Sequence, residues 1–342
     1  MNKLYVDVRA IQNNLQEIIK LTQPRNIKLF VIAKANFYGF GYPLLSYLIK
    51  YIDGIVFSQE VAEEMPVWDK EAVKLIYRIH NKLSLEQNSM EINEQVFFYL
   101  MRIINIPPSI KAKCYLRVDP FLGMHGLTLD ELKEVRLLKE YYGLFLYLNE
   151  EISEKEQPIL NEIVSLAEEN GLHLNVGGSA ILQHLDILPR KNTEVRLLRK
   201  ILFSRNSYST MFLCCDVLTR KEFRGVSKSD LSIDIGFKSS RKTFCRGHLC
   251  LLSVGYSECK FFPLFYQKEL SFKINGTKYQ LAVYPGMNTS WVWGEEDTCN
   301  LNDTACIFTD YCEVQEICSN LDIDIDEFYT SFSDGILRKY LQ

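Results

Sequence analysis

Lys34 is the residue that most directly suggests covalent chemistry. It ends the apolar run FVIA and leads into the loop ANFYGFG. An apolar run of this kind predicts a buried β-strand, and the carboxyl end of such a strand is where βα barrels hold their reactive groups. A partly desolvated amine there has a lowered pKa and can attack a carbonyl carbon to form a Schiff base. A lysine after one strand can also simply re-enter solvent, so the surrounding elements and motifs decide between the two interpretations.

The elements around this lysine alternate between short apolar runs and amphipathic segments. The runs include KLFVIAKA, GIVFS, KLIYRI and KCYLRV. Apolar runs of about four to eight residues, separated by helical patterns, predict βα units that build a parallel sheet. About eight such units favour a closed barrel over an open sheet. We therefore expect residues 1–215 to form an N-terminal (β/α)8 barrel of the TIM type.

The pattern changes from about residue 210, where extended runs such as HLCLLSVGY and ELSFKI are separated by turn signals such as ING. Short strands with turn residues between them are typical of an all-β domain. The sequence predicts a mostly-β C-terminal domain over residues 216–342. It contains no internal repeat or long linker, so we expect a packed crossover near residues 205–225.

Composition and charge exclude several classes of protein. The chain has 342 residues, of which 47% are hydrophobic, enough for one large core or a large and a smaller one. A net charge of −4 with scattered lysines and arginines leaves no basic field, so nucleic acid is not an expected partner. The N-terminal residues lack the pattern of a signal peptide, and no segment reaches about 18 apolar residues. We expect a cytoplasmic protein with no membrane span.

Cysteine and histidine spacing argues against disulfides and metal. The ten cysteines contain no C-x-x-C pair, and the pattern is unlike that of a short secreted domain, so we interpret them as buried free thiols. The five histidines lack a ligand spacing such as H-x-x-x-H. We expect no metal site.

The loop AKANFYGFG resembles the pyridoxal-phosphate lysine signature of the alanine racemase family, a lysine followed by Ala-Asn-x-Tyr-Gly-x-Gly. LYVDVRAIQNNL is similar to the family's opening strand and helix, and LLSVGYSEC is similar to a motif of its second domain. GIVFSQEVAEEM is similar to a further barrel segment of that family. The resemblance extends from about residue 4 to about residue 340 and implies a barrel followed by a β domain.

This resemblance implies pyridoxal 5'-phosphate as cofactor and assigns residues to it. Lys34 would hold the cofactor as a Schiff base and then act as a base at the substrate Cα. Tyr38 would donate its hydroxyl to the cofactor phosphate. In NVGGSAILQHL, Ser179 takes the place of a phosphate-binding serine, and in TEVRLLRKILF, Arg196 takes that of an arginine that contacts the pyridine nitrogen.

The type of residue beside the pyridine nitrogen indicates whether the cofactor favours racemisation or decarboxylation. An arginine cannot act as an acid near neutral pH, so the ring stays unprotonated and is a weaker electron sink, which suits racemisation. Amino-acid decarboxylases of the barrel type have a glutamate there, and Glu194 is two residues from Arg196. A shift of two residues in the comparison with the family would place Glu194 instead of Arg196 beside the pyridine nitrogen. A decarboxylase is therefore kept as an alternative.

The resemblance fails where the family supplies its second proton donor. Counted back without gaps from Tyr256, the position of the partner subunit's proton-donating tyrosine is occupied by Phe237, which carries no proton. In VDPFLGMHGL, the arginine that supports this tyrosine and the substrate carboxylate is missing, with Met124 or Gly126 in its place according to the register. We therefore expect a rebuilt second base and carboxylate site.

Two further positions depart from the family. A barrel histidine is replaced by Tyr147 in GLFLYLN. Asp334 in FSDGILRKYL stands where the family has a phosphate-binding tyrosine, and its carboxylate would repel a phosphate unless it is neutralised.

Other family positions are retained, so the sequence predicts a racemase with an altered active site. Tyr256 and Met287, in YPGMNTS, are kept, and the resemblance implies that they complete the partner's site in a head-to-tail homodimer. The candidate replacement proton donors are Tyr256, Tyr284, Cys245 and His248. The alternatives are the decarboxylase and a family member that binds the cofactor without turnover. The expected substrate is an amino acid.

Overall fold

The structure, a computed structural model, describes most of the chain. The described residues are 2–57, 74–79, 96–100, 108–121, 126–148, 152–189, 191–203, 209–223, 246–296 and 298–342. They divide into two compact units. The barrel unit contains Gln12–Lys34 and Leu45–Leu202, and the sheet unit contains Met1–Ile11, Ala35–Leu44 and Phe203–Gln342. Within the described ranges, no helix has the length and apolar character needed to cross a bilayer.

The barrel unit is a closed ring of eight parallel strands, β2 to β9. Their bounds are Lys28–Ala33 (β2), Gly54–Phe57 (β3), Lys74–Ile79 (β4), Val96–Leu100 (β5), Cys114–Val118 (β6), Gly143–Tyr147 (β7), His173–Gly177 (β8) and Thr193–Leu197 (β9). The ring is closed because β2 pairs with both β3 and β9. All four residues of β3 and all five of β9 are buried, as expected for strands covered on both faces.

The described helices are short apart from α1, α5 and α8. They are Val8–Thr22 (α1), Leu45–Leu48 (α2), Pro108–Lys111 (α3), Leu129–Glu134 (α4), Glu156–Glu169 (α5), Arg199–Leu202 (α6), Phe262–Gln267 (α7), Tyr311–Leu321 (α8) and Ile325–Thr330 (α9). Helix α4 begins at a capping box, in which Thr128 accepts from the Glu131 amide and Glu131 accepts from the Thr128 amide. Helix α5 buries Leu160, Ile163 and Val164 on one face, the spacing of an amphipathic helix.

Aromatic side chains fill the interior of the barrel. The interior cluster consists of Phe30, Val56, Phe97, Tyr99, Tyr115 and Phe145. Tyr99 stacks on Phe145 with ring centroids 4.4 Å apart and planes 3° from parallel. Because side chains alternate across a strand, these residues identify the inner face of each strand that contributes one.

The described part of the sheet unit contains eight strands, in the order β11-β14-β13-β12-β15-β10-β1-β16. Their bounds are Lys3–Asp7 (β1), Met211–Phe223 (β10), Gly247–Leu252 (β11), Ser271–Ile274 (β12), Thr277–Leu281 (β13), Ser290–Gly294 (β14), Thr304–Ile307 (β15) and Leu337–Leu341 (β16). Pairing is antiparallel except between β1 and β16. A parallel barrel and a separate antiparallel sheet confirm the predicted combination of a barrel and a β domain.

The sheet unit is formed by three separate segments of the chain. The first strand, β1, pairs with β10 and β16, so it belongs to the sheet rather than to the barrel that the first 215 residues were expected to form. The expected boundary after residue 215 falls inside β10, Met211–Phe223. Periodicity identifies a strand but not its partner, which is why the N-terminal strand was placed with the segment that follows it.

No disulfide joins the described cysteines. Most of them are buried, whereas Cys306 is half-buried and Cys312 is exposed.

Candidate active site

Lys34 lies at the carboxyl end of barrel strand β2. It directly follows β2, and strand alternation puts position 34 on the same face as Ile32 and Phe30, which belongs to the interior cluster. This is the end of a βα barrel at which active sites are built. The side chain is exposed, whereas a partly buried amine was expected from the sequence.

The residues after Lys34 form a left-handed turn that the sequence did not predict. Ala35–Tyr38 all have φ between 48° and 55°. The turn is closed by hydrogen bonds from the Gly39 amide to the Ala35 oxygen, at 3.0 Å, and from the Gly41 amide to the Asn36 oxygen, at 2.9 Å. Each non-glycine residue in this conformation costs about 1–2 kcal/mol. Contacts outside the turn must therefore hold it.

Packing inside the sheet unit holds part of this lysine loop, residues 35–41. Phe37 and Phe40 are fully buried, and the Phe40 ring lies 5.6 Å from that of Tyr329. Gly39 has a φ of 80°, and a Cβ there would overlap the Tyr329 carbonyl oxygen. Glycine is thus required at this position by both conformation and space. Tyr38 is half-buried.

Arg196 is buried on the inner face of β9, and its guanidinium is held by three hydrogen bonds. Nη1 donates to the Asn175 backbone oxygen at 3.0 Å and to Asn175 Oδ1 at 2.6 Å, and Nη2 donates to the Leu146 oxygen at 2.8 Å. Its Cζ lies 3.2 Å from the centroid of the Phe145 ring. Burial lowers the pKa of Arg196 to about 9, and the positive charge of Arg117 adds to this effect. The guanidinium still carries its proton at neutral pH.

Gly177 and Gly178, the two residues before Ser179, leave space for the Arg196 side chain and the Leu148 carbonyl group. Gly177 is the register partner of Arg196, and a Cβ on it would come within 2.6 Å of Arg196 Nε. Gly178 has a φ of 105°, and a Cβ on it would overlap the Leu148 carbonyl oxygen. Ser179 lies two residues after the end of β8 and is half-buried. The contact between Gly177 and Arg196 was not predicted from the sequence.

Glu194 lies deeper in the barrel than Arg196. It is fully buried, and its Oε2 accepts from the Tyr115 hydroxyl at 2.6 Å and from Asn175 Nδ2 at 2.9 Å. Its Oε1 is 3.4 Å from His173 Nδ1. Two residues along a strand correspond to about 6–7 Å, so Arg196 is closer to the mouth by that distance. The geometry therefore favours Arg196 over Glu194 as the residue that faces a ligand at the mouth.

Two other polar residues occupy inner-face positions near the mouth. Arg117 follows Tyr115 by two residues in β6 and is half-buried. Tyr147 ends β7, follows the interior residue Phe145 by two, and is 39% exposed. Neither was singled out as a ligand-binding residue from the sequence. The alternation of side chains along a strand could have identified them, because each lies two residues after an interior aromatic residue.

The positions of the missing family arginine are only partly described. Met124 lies outside the described residues. A Cβ on Gly126 would come within 2.7 Å of Asp119 Cβ and 3.2 Å of Arg117 Cγ. Position 126 therefore has no space for a long side chain directed at those residues.

The remaining predicted residues lie in the sheet unit or outside the described chain. Phe237 and Cys245 are outside it. Tyr256, Tyr284 and Met287 are 37%, 49% and 58% exposed. Hydrogen bonds from the Tyr256 amide to the Gly286 oxygen and from the Ser257 amide to the Met287 oxygen join their two loops. His248 is half-buried in β11. Among the residues with described positions, no cluster of three or more His, Cys, Asp or Glu could hold a metal ion.

The chain has the fold of alanine racemases. The alanine racemase from Bartonella henselae with covalently bound pyridoxal phosphate is 14% identical, with a TM-score of 0.75 and 99% of each chain covered. The alanine racemase of Clostridium difficile 630 is 16% identical, with a TM-score of 0.75 over 99% of this chain and 95% of that one. The enzyme from E. faecalis is 18% identical, with a TM-score of 0.68 over 99% and 98%. No protein-family model matches the sequence, and no curated protein is significantly similar to it.

Proposed function

We propose that this protein is a pyridoxal-phosphate-dependent amino-acid racemase of the alanine racemase type. The observation that carries the proposal is an exposed lysine at the carboxyl end of β2 in a barrel whose inner face presents a buried arginine near the same end. The likeness of the fold to an alanine racemase with covalently bound pyridoxal phosphate supports it.

The side chains at the mouth fit this cofactor in their donor chemistry. Lys34 has the primary amine that an aldehyde requires, and the Ser179 hydroxyl is a suitable donor to a phosphate oxygen. Tyr38 is proposed as a second phosphate donor on the lysine-loop motif. Arg196 would face the pyridine nitrogen, since Asn175 and Leu146 fix the plane of its guanidinium. When bound, the cofactor would make the proton on the substrate Cα acidic.

The position of Arg196 favours racemisation over decarboxylation. Its protonated guanidinium donates hydrogen bonds but does not transfer a proton at neutral pH. Glu194 is the residue that would favour the decarboxylase. Its carboxylate accepts hydrogen bonds from Tyr115 and Asn175 deeper in the barrel. Carbon dioxide released from a panel of L-amino acids would instead support the decarboxylase.

We assign the two proton transfers at the substrate Cα and the binding of the substrate carboxylate to residues of the barrel unit. Lys34 would move the Cα proton on one face of the substrate. Tyr147, exposed at the end of β7, is proposed as the hydroxyl that serves the other face in place of the family tyrosine. Arg117 is proposed to bind the substrate carboxylate, since it is a guanidinium on the inner face of β6.

A homodimer is part of the proposal. The side chains of Tyr256, Tyr284 and Met287 are exposed on adjoining loops of the sheet unit, and large apolar side chains grouped in this way are typical of an interface. Symmetric dimers are also the commonest oligomers. Sedimentation equilibrium would test this assignment, and a monomer at micromolar concentration would contradict it.

Borohydride trapping tests the role of Lys34. The protein is loaded with pyridoxal phosphate, reduced and digested, and the peptides are identified by mass spectrometry. We expect a reduced pyridoxyl group on Lys34 and its loss in Lys34→Ala. Lys28→Ala is the matched control, because this lysine is exposed at the opposite end of the same strand. Labelling of Lys34 no greater than that of Lys28 would overturn the proposal.

A further inference from the structure

The lysine loop is held by the C-terminal strand of the sheet unit. The side chain of Arg338 in β16 is only 8% exposed, and its Nε donates to the Gly39 carbonyl oxygen at 2.6 Å. Its Nη1 donates to the Ile336 oxygen at 3.1 Å, and its Nη2 is 3.7 Å from Asp334 Oδ1. Arg338 therefore links the loop to the segment that carries Asp334.

Asp334 makes a second link to the same loop. Asn36 Nδ2 donates to Asp334 Oδ1 at 2.7 Å, and Asn36 Oδ1 accepts from the Tyr42 amide at 3.2 Å. The Tyr340 hydroxyl donates to the Phe40 oxygen at 2.9 Å. The left-handed turn is thus held from both of its ends by residues nearly three hundred positions later in the chain.

We propose that Arg338 and Asp334 act as positioning residues, a clamp that fixes the lysine loop in its left-handed conformation and so sets the affinity for the cofactor. This inference rests on the proposed function, because it assumes that the loop binds pyridoxal phosphate. Asp334, whose carboxylate was expected from the sequence to repel a phosphate, instead lies 3.7 Å from Arg338 Nη2 and accepts the hydrogen bond from Asn36. Asp334 is therefore not a phosphate ligand in this account.

Hydrogen–deuterium exchange of the loop and cofactor titration test the clamp together. Asp334→Ala removes the acceptor for Asn36, and Arg338→Lys keeps the charge but loses the Nε donor to Gly39. The control is Arg246→Met, which removes an exposed ion pair with Glu222 in the same unit. We expect amide exchange in residues 35–41 to rise about tenfold or more in both clamp variants and not in the control. The dissociation constant for pyridoxal phosphate should rise about tenfold, which corresponds to about 1.4 kcal/mol.

The outcomes separate the clamp from the proposed function. Unchanged exchange and unchanged cofactor affinity in both variants would overturn the clamp. Faster exchange with a melting temperature lowered throughout the protein would also contradict it, since a merely structural role predicts a global effect. If the wild-type protein binds no cofactor, the proposed function fails, and the exchange data still decide whether Arg338 and Asp334 hold the loop.

A separate observation in the sheet unit concerns two cysteines. Cys214 in β10 and Cys306 in β15 are register partners, and their sulfur atoms are 2.8 Å apart. Directly opposed residues in an antiparallel pair have Cα atoms about 4.5 or 5.5 Å apart, within the range that a disulfide tolerates. Cys306 is half-buried rather than buried, so a small oxidant can reach it. The hydrogen bond from Cys214 lowers the pKa of the Cys306 thiol to about 7, which favours its reactive thiolate.

We infer that a peroxide converts Cys214 and Cys306 into a disulfide. The Cys306 thiolate attacks a peroxide oxygen, the O–O bond breaks, and the hydroxide that leaves takes up a proton, giving a sulfenic acid. The Cys214 thiol then attacks that sulfur, the S–S bond forms and water leaves. With hydrogen peroxide, two thiols and one peroxide give one disulfide and two waters.

Peptide mass spectrometry after graded hydrogen peroxide and alkylation of the remaining thiols tests this second inference. We expect a linked Cys214–Cys306 peptide at peroxide levels that leave Cys312 alkylatable, although Cys312 is the more exposed thiol. Cys306→Ser should abolish the linked peptide and leave Cys214 as a thiol. Oxidation of Cys312 before Cys306, or no linked peptide at full oxidation, would refute the inference.

Discussion

Replacement of Arg196 by lysine tests whether the barrel interior depends on the shape of the guanidinium rather than on its charge alone. Arg196 donates to three acceptors, two on Asn175 and one on Leu146. A lysine keeps the charge but places all its donors on one nitrogen, so we expect it to retain one of the three hydrogen bonds. Two lost bonds to a charged group, at about 1.5 kcal/mol each, reduce the free energy of unfolding by about 3 kcal/mol.

Urea denaturation at neutral pH measures this loss directly. The control is Arg136→Lys, because Arg136 is exposed in the same unit, and its effect should stay within about 0.5 kcal/mol. A loss below about 1 kcal/mol for Arg196→Lys would refute the reasoning, since it would mean that the guanidinium fork contributes nothing beyond its charge. The cofactor titration, carried out on the same variant, should show weaker binding of pyridoxal phosphate.

The remaining predictions concern single side chains. Tyr147→Phe should abolish inversion of the substrate while leaving Cα exchange on the Lys34 face, as followed by NMR and chiral chromatography. Gly178→Ala should lower the free energy of unfolding by about 1–3 kcal/mol in urea, because the new Cβ overlaps the Leu148 oxygen. Burial raises the pKa of Glu313, so its neutral form stabilises the fold below the unfolded-state pKa, and this contribution is lost as pH rises through the folded-state pKa. Glu313→Gln should therefore stabilise the protein near neutral pH and not at about pH 4, as urea titrations at both pH values would show.

Much of the fold was predictable because continuous apolar runs identify buried strands. KLFVIAKA contains β2, and KCYLRV contains β6. The partner of a strand is not encoded in its own periodicity, so β1 was assigned to the barrel although it pairs with β10 and β16.

One strand and one motif were enough to predict where Lys34 lies, whereas contacts between residues distant in the chain were not predictable. Lys34 follows directly from the end of β2. The left-handed turn of Ala35–Tyr38 has little compositional signal, because only its asparagine favours that conformation. The distinction between Arg196 and Glu194 required the direction of β9 and the hydrogen-bond partners of both residues.

The contacts that Asp334 makes with Arg338 and Asn36 could not be predicted from the sequence. Asp334 and Asn36 are 298 residues apart in the chain, and their hydrogen bond exists only in the folded sheet unit. The sequence shows a carboxylate that requires a positively charged neighbour, but it does not show that Arg338 is this neighbour.

Cα hydrogen exchange, followed together with chirality, distinguishes a racemase from the alternative functions. The cofactor-loaded protein is incubated in deuterium oxide with L- and D-amino acids, and deuterium incorporation and chirality are measured together. We expect exchange with inversion for at least one amino acid, and its loss in Lys34→Ala. Carbon dioxide release, exchange without inversion, or no exchange with any amino acid would contradict a racemase.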